Sequence, residues 1–69
     1  MRYAVVIEKA AGNYSAYVPD LPGCIAVGDT LEEIQQMIRE AIEFHLEGME
    51  LNRESIPEPS SLCQYIEVC

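Results

Sequence analysis

Few side chains in this 69-residue sequence could carry covalent or metal chemistry: one histidine (His45), three cysteines (Cys24, Cys63 and Cys69) and twelve carboxylates. A structural zinc site takes four thiolate or imidazole ligands, usually in closely spaced pairs such as C-x2-C. Here the cysteines lie far apart, and the neighbours of His45 one helical turn away are Ala41 and Met49. No metal and no cofactor are expected. A nucleophilic cysteine needs a base or a positive charge beside it to form the thiolate. Nothing basic adjoins Cys24 in the sequence, so it reads as a small buried residue, and His45, set within an apolar stripe, reads as a core or interface histidine. Two-metal hydrolysis needs several carboxylates converging on ions ~3.5–4 Å apart. Glu8 falls near a strand end, Asp20 and Asp29 fall in turns, and most of the others lie along one helix. No catalytic residue is assigned, and the chain is not expected to be an enzyme.

Twelve acids against four bases give a formal charge of −8. Phosphate backbones attract clustered Lys and Arg and repel this balance, so direct nucleic-acid binding is not expected. An acidic domain suits a basic protein partner, whose encounter it speeds through long-range attraction, and it also keeps a small protein soluble. No apolar run reaches the ~18 residues of a membrane-spanning helix. Met1 to Glu8 is too short and too soon charged for a secretory signal. With three cysteines at unpaired spacings, a cytoplasmic protein without a disulfide framework is expected.

The elements that position these residues follow from periodicity and turn chemistry. Arg2–Lys9 and Tyr14–Val18, rich in Val, Ile and Tyr, read as strands joined by the short turn at Gly12-Asn13. Pro22-Gly23 supplies the two central residues of a type II turn, which leaves Leu21 exposed at its start. Cys24–Val27 is a third short strand. Thr30 with Glu33 forms a capping box, and Asp29, Glu32 and Glu33 put negative charge at the positive end of the helix that follows. From Leu31 to about Leu51, Leu31, Ile34, Ile38, Ala41, Ile42, His45 and Met49 share one stripe, and the opposite face carries Glu32, Gln36, Glu40, Glu43, Glu47 and Glu50. Ile56-Pro57-Glu58-Pro59-Ser60-Ser61 is an extended connector. Leu62–Val68 alternates and reads as a final strand.

The expected architecture is therefore a single α+β domain over residues 1–69, in the order β-β-β-α-β. It is a four-stranded mixed sheet with one long helix on one face, the last strand returning parallel beside the first by a right-handed crossover. That arrangement makes the first strand an inner one and leaves the second sheet face bare. A core this small seldom supplies more than ~3–5 kcal/mol of net stability. Homo-oligomerisation through Tyr3, Val5 and Tyr17 is expected to cover the remaining apolar surface.

The block Tyr17-Val18-Pro19-Asp20-Leu21-Pro22-Gly23-Cys24, followed by Gly28-Asp29-Thr30-Leu31-Glu32-Glu33 and by Ile56-Pro57-Glu58-Pro59, resembles the HicB-like antitoxins (UPF0150-type). The resemblance spans nearly the whole chain, and its motifs are specific in combination rather than singly. It implies a partial RNase H-like fold and a partner, a small basic HicA-like toxin that cleaves RNA and that the antitoxin covers. The acidic helix face, Glu32, Glu40, Glu43, Glu47 and Glu50, is then the expected toxin-binding surface. Many members of the family carry a further C-terminal DNA-binding segment, and the sequence ends at Cys69 with none, so DNA binding by this chain is not expected. The alternative reading is a solitary HicB-like scaffold or regulatory protein that acts through homo-oligomerisation without a toxin.

Overall fold

The computed structural model describes all residues from Met1 to Cys69. Three strands, β1 (Val6–Ala10), β2 (Asn13–Tyr17) and β3 (Ile25–Gly28), precede one helix, α1 (Leu31–Leu51). The strands form an antiparallel meander in the order β1-β2-β3. Its register aligns Val6, Tyr17 and Ile25 in one cross-strand row and Ile7, Ala16 and Ala26 in the next. Paired residues share a face and successive residues alternate. Ile7, Tyr14, Ala16, Ala26 and Gly28 therefore face α1, whereas Val6, Ser15, Tyr17, Ile25 and Val27 face away.

Helix α1 lies over β2 and β3. Between them sits the core, Ala16, Val18, Leu21, Cys24, Ile34 and Ile38, ringed by half-buried Tyr3, Val5, Tyr14, Ala26, Ala41, Ile42 and Leu46. The close seat of the helix on β3 depends on Gly28. A Cβ there would come within 3.1 Å of the Ile34 backbone nitrogen.

The capping signals read from sequence appear as hydrogen bonds. Thr30 Oγ1 accepts from the Glu33 N–H at 3.1 Å. The Glu33 carboxylate reaches back to the N–H of Asp29, one residue before the cap, at 3.3 Å. At the other end Asn52 caps the helix and Arg53 turns left-handed, with φ of 56°. The Arg53 and Glu54 amides then donate to the carbonyls of Glu50 and Met49, the bonding of a Schellman motif.

The loop between β2 and β3 departs from expectation in one respect. The Pro22-Gly23 turn is present: Gly23 has φ of +84°, and the Cys24 N–H donates to the Leu21 carbonyl at 3.1 Å. A second turn precedes it, with the Leu21 N–H donating to the Val18 carbonyl, while the Val18 N–H donates to the Cys24 carbonyl. These three bonds fold the loop back on itself and point Leu21 inward. Expected to be exposed, Leu21 is instead fully buried.

The second departure concerns the sheet. Leu62–Val68, read as a fourth strand, has no ladder, so the sheet has three strands and β1 is an edge rather than an inner strand. The tail still runs alongside it. Cys63 Sγ lies 3.9 Å from the Val5 carbonyl oxygen, and a groove of about 360 Å³ separates Val5, Val6 and Ile7 from Leu62 to Tyr65. A strand is held by ladder bonds and a buried face, and the tail has neither: Leu62, Tyr65, Ile66 and Val68 are largely exposed, Tyr65 completely. The same lack shortens β1 to begin at Val6 instead of Arg2. On the β2 side Val18 uses both backbone groups within its loop, and Pro19 has no N–H to offer.

The connector before the tail is anchored firmly. The Asp20 carboxylate accepts the backbone N–H groups of Ser60 and Ser61, both at 2.9 Å, and their hydroxyls at 3.1 and 2.8 Å. The Tyr3 hydroxyl donates to the Pro57 carbonyl.

Candidate protein-binding surface

The residue types that suggested chemistry have structural positions. Cys24 is buried, and burial pushes its thiol pKa up, toward the unreactive protonated form. Asp20 is the connector clamp. The Ser61 backbone N–H, then the Ser60 backbone N–H and the serine hydroxyls, hold its carboxyl at about 2, below the ordinary 3.8. His45 is half-buried and lines an open groove of about 510 Å³ with Phe44, Gly48 and Met49. Nowhere do three His, Cys, Asp or Glu side chains converge in a way that could hold a metal ion. No helix is long and apolar enough to cross a membrane.

What the surface offers instead is area for contact. All five acids expected to bind a partner, Glu32, Glu40, Glu43, Glu47 and Glu50, are exposed on α1. The structure divides them into two rows. With Ile34 and Ile38 buried against the sheet, a rotation of roughly 100° per residue sets Glu32, Glu43 and Glu50 in one row on the outward side of the helix. Glu40 and Glu47 form a second outward row, roughly 60° further round the helix, next to Met37, Phe44 and Leu51, which are exposed apolar residues. Gln36 Nε2 donates to Glu40 Oε2 at 2.7 Å across one turn.

The three residues expected at an oligomer interface are not brought together. Tyr3 and Val5 pack against the core from the α1 side of the sheet. They also line, with Ala4 and Leu62, a groove between the N-terminal residues and the tail. Tyr17 lies on the opposite, uncovered face, beside Val6, Ile25 and Val27. Ile25 and Val27, 68% and 53% exposed, are the residues that the sequence reading missed. Alternation in β3 against buried Cys24 held the signal, but it names a face only once the register to Tyr17 is known.

Comparison with known proteins gives this surface a context. Residues 3–68 match the family described as "HicB_like antitoxin of bacterial toxin-antitoxin system". A 14.9 kDa protein from the rep-hol intergenic region of Haemophilus phage HP1 is 46% identical over 66 residues, which cover 96% of this chain and 50% of that protein. Antitoxin HicB 1 of Photorhabdus laumondii is 36% identical over 74 residues, covering 99% of this chain and 45% of the relative. The chain thus spans half or less of these two proteins. Among solved structures, a chain of the HicA3 and HicB3 toxin-antitoxin complex superposes with a TM-score of 0.74 at 28% identity, covering 86% of this chain and 70% of the other.

Proposed function

The chain belongs to the HicB-like antitoxin family, and on that premise we propose that it neutralises a small basic HicA-type toxin by covering the surface with which the toxin cleaves RNA. The observation that carries this reading is charge on an ordered scaffold. Six of the chain's twelve acids lie on α1, and those assigned to binding are exposed on the side of the helix away from the sheet. A dense acidic face speeds encounter with a basic protein and occupies the cationic surface that RNA would otherwise use. Occlusion of this kind needs no cofactor and no catalytic group. The placement of Asp20 as a clamp and Cys24 as a buried thiol agrees with a binding protein. The three free cysteines accord with a cytoplasmic setting.

The same reading extends to the fold. We assign the tail Leu62–Val68 as the fourth strand of a partial RNase H-like sheet, pairing with the free edge of β1 when the protein is assembled with a partner. Its course beside Val5 supports the assignment.

The test is recovery of the tagged chain from its own host lysate after nuclease treatment, followed by an RNA-cleavage assay on whatever accompanies it. A stoichiometric basic partner of under ~100 residues, about one small domain, whose cleavage stops on addition of the chain, is the expected result. Recovery of the chain alone as a discrete oligomer counts against it. Reversing charge at Glu43 and Glu47, both to lysine, is expected to weaken toxin binding by about tenfold or more, or ~1.4 kcal/mol per decade. The variant should also show a shallower salt dependence. Calorimetric titration at two ionic strengths checks both, and equal affinities would remove the acidic face from the account.

A second reading, a scaffold acting through homo-oligomerisation, is favoured by the uncovered sheet face. Tyr17, Ile25, Val27 and Val6 form an apolar surface on the side of the sheet away from α1, so two copies of charge −8 meet there with the least repulsion between their helical acids. Tyr3 and Val5, packed on the α1 side of the sheet, lie outside this face. Ile25→Lys is expected to convert the oligomer to monomer in sedimentation velocity. A wild-type chain already monomeric at the same concentration would count against this interface.

A further inference from the structure

Along α1 the residues Glu33, Met37, Glu40, Phe44, Glu47 and Leu51 recur at alternating spacings of four and three, and all six are exposed. That spacing keeps them on one side of the helix for about 27 Å, at 1.5 Å per residue. Apolar residues so arranged normally face the core, yet here the core is served by the neighbouring row that contains Ile34 and Ile38, both buried. Phe44 is 79% exposed and Leu51 78%. Beside Phe44 the helix carries Gly48, with nothing within 4 Å of where a Cβ would be. The adjoining groove of about 510 Å³ is lined by Pro22, Phe44, His45 and Gly48 among others.

We propose that this mixed stripe is the docking site for a basic amphipathic helix of the toxin, an inference that rests on the antitoxin reading and names the surface and the partner's chemistry. Alternating three- and four-residue spacing is what a helix presents to another helix lying along it. The partner's apolar residues pack on Met37, Phe44 and Leu51, and its Lys and Arg residues pair with Glu33, Glu40 and Glu47. The charges decide among occupants. A second copy would set glutamate against glutamate. Nucleic acid and anionic lipid would be repelled by the same three carboxylates. Phe44, central and aromatic with a notch beside it, is the residue on which affinity concentrates. Of the five acids read from sequence, Glu40 and Glu47 belong to the site, while Glu32, Glu43 and Glu50 act at longer range.

The probe is a synthetic helical peptide of about 18 residues, roughly five turns, with leucines at three–four spacing flanked by lysines, titrated calorimetrically into the full chain. Phe44→Ser, and independently Leu51→Ser, are expected to weaken peptide binding by about tenfold or more with unchanged circular dichroism, since both side chains are already in solvent. Tyr17→Ser, on the bare sheet face, is expected to leave it unchanged. Wild-type affinity in both helix variants, equal loss in Tyr17→Ser, or no binding by the wild type would each overturn the proposal. The partner's RNA cleavage is then assayed with the same variants. If Phe44→Ser inhibits the toxin as well as the wild type does, the stripe fails and the antitoxin reading survives. If the wild type binds the peptide through Phe44 but inhibits no toxin, the antitoxin reading fails instead.

Discussion

Leu21→Ala is expected to leave most of the chain unfolded at room temperature. Removing a buried leucine side chain costs about 2–5 kcal/mol, and a chain of this size holds only ~3–5 kcal/mol in its core. Leu21 is one of two fully buried large side chains, the other being Ile34, and it belongs to the cluster that joins the β2–β3 loop to the helix. The loop around it is closed by backbone bonds from Val18 to Cys24 and leaves little freedom to collapse on the cavity. Leu62→Ala is the control: 95% exposed, it is expected to change stability by no more than ~0.5 kcal/mol. Urea denaturation followed by circular dichroism, at low protein concentration to limit linkage to assembly, compares the two. Similar midpoints would mean that Leu21 does not hold the core.

Asp20→Ala is expected to free the connector while the sheet and helix persist. The carboxylate accepts four hydrogen bonds from Ser60 and Ser61, and these hold the stretch that leads the chain back toward β1. Hydrogen exchange should show the Ser60 and Ser61 amides losing protection in the variant, with the β2 amides unaffected. Retained protection at both serines would rule out the clamp. The same group carries a pH dependence of definite sign. Its folded pKa of about 2 lies below the ordinary 3.8, so between those values the unfolded chain binds more protons than the folded one. The clamp's contribution is complete above about pH 4, declines as pH falls from 3.8 through about 2, and is absent in Asp20→Ala. An acid titration of the wild type and the variant should therefore converge at the lowest pH. A constant gap across that range would assign the effect to something other than the carboxylate.

The features that were legible in the residues are those settled within a few positions of chain. Thr30 and Glu33 are three residues apart, and their capping hydrogen bond requires only that the helix start there. Pro22 and Gly23 carry their own backbone preferences into the turn. The helical stripe of Ile34, Ile38 and Ile42 recurs with the period of the helix itself, so the long helix and its buried side follow from local pattern. The family resemblance rests on these same local blocks, which explains why it could be recognised without any knowledge of contacts.

The features that were misjudged depend on groups distant in sequence, or on a partner. Leu21 points inward because Val18 and Cys24 close the loop beneath the helix, an outcome that no single turn signal contains. Asp20 looked like an ordinary turn residue because the serines that engage it lie 40 and 41 positions later. Ile25 and Val27 share a face with Tyr17 only through the β2–β3 register. Alternation in Leu62–Val68 reads as a strand, but a strand exists only where a neighbour supplies hydrogen bonds and something covers a face, and the lone chain offers the tail neither. Local propensity and periodicity are thus properties of the sequence by itself. Which side chain is buried, which carboxylate is engaged and which face is left open are settled by the free energy of contacts that exist only once the chain has folded.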